Sequence, residues 1–350
     1  MSSSLDPDAD PRDIEEPIEY FLQDLTYHGR SDRTRAAYRR VLKRFESFIA
    51  TEGSSTLVID AGHRECLAWL HDLRSSAGES TVATYASYLN RFYDYMTQVG
   101  VCQENPMVLV MAEMEEGIDT DPTRREISIP EMRRFLRGAA HPLDRAVVVT
   151  LLKTGMRVGE LCNLDLRDLT LGDEGIQQTY DVPTRGQLDR HDRTLYIDAG
   201  VLRGEVVNGE ERTASNKRMR STLVPIDDEL AATLSRWLAI RPDARSEAEP
   251  LFLSTRDAWG ARLTPDMVRS IVETHAREQG WHRTGGGAEE NVTPHYFRHF
   301  FTTHLRDRTG DRGIVKYLRG DVAEDIIDTY THNWGDRVRE VYEANIYSLL

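Results

Sequence analysis

One acidic break does most to limit what this chain can fold into. Residues 112–125 read AEMEEGIDTDPTRR, with Gly and Pro and no sustained apolar stripe. That is the composition of a linker between domains. Before the break, apolar residues recur only at three- and four-residue spacing; after it, helical and strand-like patterns alternate. The expected architecture is therefore mainly α with a small antiparallel β-sheet. It has a disordered acidic tail at 1–12, a helical domain at 13–111, a linker at 112–126 and a larger α+β domain at 127–350.

Each helix in the first part carries its own signals. Ser31 is a candidate N-cap for a helix bearing Tyr38, Val41, Leu42, Phe45, Phe48 and Ile49, which ends near Gly53. A helix at 61–74 is expected to set Leu67, Leu70 and Leu73 on one face. Gly78 breaks the chain, and a helix from Ser80 or Thr81 carries Val82, Tyr85, Leu89, Phe92, Tyr93 and Met96 up to a cap at Gly100. With a helix near 14–25 this makes a bundle of about four helices. Beyond the break, Ser128-Ile129-Pro130-Glu131 opens a helix with Pro in its first turn and an acid near the positive end of the dipole. Helices are expected at 130–138, 143–153, 158–164, 227–240, 265–279 and 294–308, and strands at 194–197 and 221–226. The polar stretch 172–215 has the pattern of a small antiparallel insertion.

Charge at first argues against a nucleic-acid partner, because the net charge is −14. Of 44 basic residues, however, only Lys43, Lys153, Lys217 and Lys316 are lysine. Abundant carboxylates with almost no lysine resemble proteins of salt-accumulating halophiles. In such salt the Debye length falls to about 3 Å, and net charge says little about which face meets DNA. Cys66, Cys102 and Cys162 are odd in number, widely spaced and set in apolar helical surroundings, as expected of reduced core thiols. No apolar run is long enough for a membrane span, and the N-terminus lacks a signal peptide's regions, so a soluble cytoplasmic protein is expected.

Five segments carry candidate chemistry. In Thr154-Gly155-Met156-Arg157-Val158-Gly159-Glu160-Leu161, a glycine turn opening a helix places Arg157 in the first turn, where its guanidinium and the helix amides could face one anion. In Pro294-His295-Tyr296-Phe297-Arg298-His299, positions 295, 298 and 299 share a helix face. With 11 histidines and this many arginines, about one His-x-x-Arg pair is expected by chance, so the pair alone decides nothing. Lys217 sits in a turn feeding a strand that reaches Val224-Pro225. In a chain this poor in lysine it stands out, and lysine can give up a proton where arginine cannot. The last two segments are Tyr317-Leu318-Arg319-Gly320-Asp321 and Asp328-Thr329-Tyr330-Thr331-His332.

In this order the segments resemble the tyrosine recombinase (phage integrase) family, from about residue 14 to the C-terminus. The resemblance rests on Thr-Gly-x-Arg-x-x-Glu-Leu at 154–161, the lysine turn before Val224-Pro225 and Pro-Leu-Phe-Leu-Ser at 250–254. His-x-x-Arg-His at 295–299 and Tyr-Thr-His at 330–332 complete it. It implies a SAM-like core-binding domain, with Asn105-Pro106 near its end, and a catalytic domain that cuts and rejoins DNA. Tyr330 would attack the phosphate, Arg157 and Arg298 would clamp its oxygens, Lys217 would protonate the leaving 5′-oxygen and His295 would assist Tyr330. Glu160 would brace the site, with His299 and His332 in support. No metal and no cofactor is implied. The implied partner is double-stranded DNA, held by a tetramer that is monomeric in solution. The composition points to a haloarchaeon or one of its mobile elements.

One position departs from the family pattern. Where the family has Leu-Gly-His, this chain has Arg319-Gly320-Asp321, nine residues before Tyr330. An ionised Asp321 would repel a phosphate, so three options stand. It is protonated, it pairs with an arginine, or it leaves the donor role to His299 or His332. Two other functions stay open: relaxation of supercoils in the manner of a type IB topoisomerase, and a catalytically weakened DNA-binding protein with Asp321 as its sign. Tyr342 is a second, weaker nucleophile candidate. The apolar stripe Val338, Val341, Tyr342, Ile346 and Leu349 suits packing on its own domain or docking on a neighbouring protomer equally well.

Overall fold

The computed structural model describes residues 16–52, 57–118, 122–172, 179–321 and 334–350. The chain forms two compact units, residues 1–122 and 123–350.

The first unit is helical: α1 (Pro17–Tyr27), α2 (Asp32–Glu52), α3 (His63–Ser76), α4 (Glu79–Gln98) and α5 (Met107–Glu113). Ser31 caps α2 by accepting the Thr34 amide at 3.2 Å, as its place in the sequence predicts. The core interlocks aromatic rings edge to face, with Phe21 on Phe92 at 5.5 Å and Phe45 on Trp69 at 5.1 Å. Three expectations differ from the structure in this unit. The inward face of α3 is Cys66, Trp69, Leu70 and Leu73, while Leu67 points to solvent. Three leucines at i, i+3 and i+6 mark a stripe that drifts off a straight 3.6-residue helix, and the larger tryptophan takes the core side. The bundle also gains a fifth helix, α5, started by Asn105 Oδ1 accepting the Met107 amide. At seven residues it is too short for its period to show. Cys102 is not helical but lies in a bend.

In the second unit, α6 (Ile129–Gly138) begins with a reciprocal capping box between Ser128 and Glu131. α7 (Pro142–Thr154) runs through the core, with Leu151 and Leu152 fully buried, each worth about 1.5–3 kcal/mol relative to exposure. It packs against α9 (Asp228–Leu238) and α11 (Pro294–Thr309). Further α-helices are α8 (Val158–Asn163), α10 (Pro265–Glu278), α12 (Arg312–Arg319) and α13 (Trp334–Asn345). β1 (Leu169–Thr170), β2 (Thr194–Ile197) and β5 (Thr222–Pro225) form an antiparallel sheet in the order β1-β2-β5, with Thr194 opposite Pro225 and Ile197 opposite Thr222. β3 (Val206–Val207) and β4 (Glu210–Glu211) make a separate hairpin. The 172–215 stretch is thus more than an insertion, because β2 within it is the central strand of the sheet. No helix among the described residues is long and apolar enough to cross a membrane.

The C-terminal stripe packs on its own unit. Val338, Tyr342, Tyr347 and Leu349 are buried, and the Leu349 amide donates to Glu229 Oε2 at 2.8 Å. Lys153 is buried beneath this tail, donating to the Tyr347 carbonyl at 2.6 Å and pairing with Asp227 and Glu229.

Candidate active site

The site begins where α7 stops. Gly155 takes a left-handed turn, with φ +62°, beside the Phe301 ring, where a Cβ would collide. Two residues on, Arg157 is the N-cap of α8, not a member of its first turn as its motif suggests. Its amide is also not free for an anion, since it donates to Glu160 Oε2 at 2.9 Å. Glu160 is fully buried and accepts the Arg157 guanidinium at 3.1 Å and that of Arg218 at 3.0 Å. It joins these two guanidiniums out of contact with solvent.

Arg298 comes from α11 and is 3 % exposed. One Nη donates to the Gly155 carbonyl at 2.7 Å and the Arg319 carbonyl at 3.1 Å, which fixes the side chain across the end of α7. The other donates to both oxygens of Asp321, at 2.8 and 2.9 Å. Arg157 Nη2 reaches Asp321 Oδ1 at 2.8 Å, and Arg319 Nε pairs with Oδ2 at 2.9 Å. Of the three options for Asp321, the structure therefore has it paired, and with three arginines. Burial, followed by the charges of Arg157 and Arg319, lowers the Arg298 guanidinium to about 10, and Asp321 and Glu160 oppose that shift.

His295 stands one turn before Arg298, on the exposed side of α11. The covered part of its ring loses hydration, and the charges of Arg124, Arg298, Arg319 and Arg157 add to this. Both effects hold the imidazole below its ordinary value. The ring is therefore neutral at neutral pH and able to accept a proton. His299 rests against the Tyr296 ring, with centroids 6.1 Å apart.

Lys217 is exposed in the loop before β5, between two buried anchors. Asn216 donates to the Asp198 carbonyl at 2.8 Å and accepts Asn163 Nδ2 at 2.8 Å. Arg218 donates to the Leu318 carbonyl at 3.1 Å and lies over Gly320, leaving no room for a side chain there. The Met219 amide donates to the Gly320 carbonyl at 2.9 Å, and Arg220 covers the Tyr317 ring at 5.3 Å. The lysine loop is thus tied to the turn that carries Asp321.

Arg157, Arg298, Glu160 and Asp321 therefore meet directly. His295 feels their charge, and Lys217 is joined to them through its neighbours. Tyr330 and His332 lie outside the described residues. Tyr342, the second tyrosine candidate, is fully buried and donates to the Lys153 carbonyl at 3.0 Å, so it is built into the core. Arg218 and Arg319 escape the sequence reading. Nothing marks one arginine among so many, although an Arg and an Asp together replacing an apolar residue and a histidine is a signal for Arg319.

Known proteins match both units. The N-terminal SAM-like domain of phage integrases matches residues 18–100, and the phage integrase family matches residues 184–335, which include Lys217, His295, Arg298 and Tyr330 but not Arg157. The chain is 27 % identical over 326 residues to the tyrosine recombinase XerC of Pelobacter propionicus, covering 91 % of this chain and 90 % of that one. It is 25 % identical to XerD of Shewanella oneidensis, covering 94 % and 95 %. In fold it is similar to a lambda integrase tetramer bound to a Holliday junction (TM-score 0.62, 15 % identity, 88 % and 77 % covered) and to the Tn1549 transposon integrase (TM-score 0.61, 17 % identity, 94 % and 98 % covered). Fold and matched models together define an integrase-type protein with a SAM-like N-terminal domain. The chain belongs to the tyrosine recombinase family and is a site-specific recombinase.

Proposed function

We propose that the chain exchanges strands of double-stranded DNA through a 3′-phosphotyrosyl intermediate formed on Tyr330. The Tyr330 oxygen attacks phosphorus and the bond to the 5′-oxygen breaks. Lys217 delivers a proton to that oxygen, and the tyrosyl proton passes towards His295. Arg157 and Arg298 hold the nonbridging oxygens and stabilise their charge as the phosphorane forms. A second strand's 5′-hydroxyl then reverses the step, so the energy of the broken bond stays in the tyrosyl ester. The observation that carries this reading is that guanidiniums from two widely separated motifs converge on one carboxylate, which presents two oxygens much as a phosphate does.

In this reading residues 13–111 are a core-binding domain that binds DNA, and residues 127–350 are the catalytic domain. The working assembly is a tetramer on DNA, and the compartment is the cytoplasm. The scarcity of lysine supports an origin in a halophile, a haloarchaeon or its mobile elements.

The test uses a pool of nicked duplexes with randomised sequence, incubated with the full chain in low and in molar KCl. Covalent protein–DNA adducts are expected that Tyr330→Phe abolishes, with a common sequence among the trapped strands. Adducts that survive Tyr330→Phe overturn the assignment of the nucleophile. Relaxation of supercoiled plasmid without sequence preference would favour topoisomerase chemistry instead.

A further inference from the structure

The Arg319-Gly320-Asp321 turn at the end of α12 concentrates charge in a way that the two clamping arginines do not require. Asp321 Oδ1 is held by Arg157 and Arg298, and Oδ2 by Arg298 and Arg319. One carboxylate therefore faces three guanidiniums: Arg298 donates to both oxygens, Arg157 donates to one, and Arg319 Nε forms an ion pair with the other at 2.9 Å. Guanidiniums meet phosphate oxygens by the same attraction. Without an anion between them, three such cations would repel one another.

The turn itself is fixed from behind. Gly320 takes φ +70°, open to glycine but strained for other residues, and Arg218 fills the space a side chain would need. Arg218 in turn is held by Glu160 and the Leu318 carbonyl, while the Asp321 amide donates to the Lys316 carbonyl at 3.0 Å. The backbone is thus pinned, but the side chains are not sealed in: Arg319 is 29 % and Asp321 25 % exposed. Water therefore reaches both the carboxylate and the guanidinium.

We propose that Arg319 is a third phosphate-binding arginine of this site, and that Asp321 holds the three guanidiniums together until a phosphate takes the place of its carboxylate. The proposal rests on the phosphate-handling function above. It explains why an acid is tolerated at the site: the acid is a ligand of the empty state and competes with the substrate for the same nitrogen atoms. It also explains why Arg319 accompanies it, since an added anion without an added cation would leave the clamp weaker for phosphate.

The experiment titrates inorganic phosphate by calorimetry, at pH 7 and constant ionic strength, into the full chain, into Asp321→Asn and into Asp321→Asn combined with Arg319→Leu. Asp321→Asn should bind phosphate roughly tenfold more tightly than the unchanged chain, and adding Arg319→Leu should weaken that binding roughly fivefold or more. Equal affinity of the unchanged chain and Asp321→Asn overturns the proposal, as does a double variant that binds as tightly as the single one. Nε–Hε resonances of the unchanged chain give a reading that depends on no variant's folding. Arg319 should shift saturably with phosphate alongside Arg157 and Arg298, and a shift confined to those two also overturns the proposal. None of these titrations involves Tyr330 or strand cleavage. Phosphate binding as described with no covalent adduct would thus support this inference and count against the proposed function instead.

Discussion

Two of the arginine–carboxylate clusters in the second unit differ in their charge balance and in their access to water. Around Asp165, Arg212 donates at 3.1 and 2.6 Å and Arg262 at 2.6 Å, while Arg262 also pairs with Glu210 at 2.6 Å. Arg212 also donates to the Val207 carbonyl, and Arg262 to the carbonyls of Cys162 and Leu164. Two cations meet two anions; Asp165 and both arginines are buried, and Glu210 alone of the four reaches water, at 21 % exposure. Around Asp321, by contrast, Arg157, Arg298, Arg319 and Arg218 face, among the described residues, the two carboxylates of Asp321 and Glu160. That cluster has more positive than negative charge, and Arg157, Arg319 and Asp321 all reach solvent. A neutral, sealed cluster is architecture; an open one short of anions has room for a substrate's charge.

The contrast can be broken from either side. Asp165→Ala should be the most damaging change, because it leaves the buried Arg212 without its carboxylate and Arg262 with Glu210 alone, at a cost of about 3–5 kcal/mol in urea denaturation. A loss below about 1 kcal/mol would mean that water already reaches the cluster. Arg157→Ala should do the reverse, slowing adduct formation about 10²–10³-fold while barely moving the denaturation midpoint. If stability falls and the rate does not, the open cluster is architecture too. Tyr342→Phe should keep adduct formation and cost about 1 kcal/mol, the hydrogen bond to the Lys153 carbonyl. The smallest effect concerns pH. His295 is held below its ordinary value of about 6.5, so its neutral, proton-accepting form persists on acidification to below that pH. The acid limb of the adduct-forming rate should therefore fall below pH 6.5 in the unchanged chain and vanish in His295→Gln. A limb at or above pH 7 would assign it to another group.

How legible each part was in the sequence follows from where its specification lies. Helices with local caps read well: Ser31 and the Ser128–Glu131 box stand in the structure where the sequence puts them. The β2–β5 pair also appears close to its expected limits, since both strands are rich in β-branched and apolar residues. α5, α12, β1, β3 and β4 are too short to show a period, and tertiary contacts decide them. In the site, Arg157 and the His295–Arg298 pair are legible from motif. The state of Asp321 is not, because it depends on α12 ending in a left-handed glycine beneath Arg218. The rarity of lysine, used to single out Lys217, is no guide by itself. Lys153 is equally rare and serves as a buried tie for the C-terminal tail.

The central claim is that the open cluster serves a phosphoryl transfer to Tyr330. Peptide mapping by mass spectrometry of the trapped adduct tests it most directly. The account predicts a nucleotide esterified to Tyr330 in the unchanged chain, and almost none in Arg157→Ala or Arg298→Ala at equal time. A nucleotide on any other residue, or undiminished labelling of Tyr330 without either arginine, would contradict it.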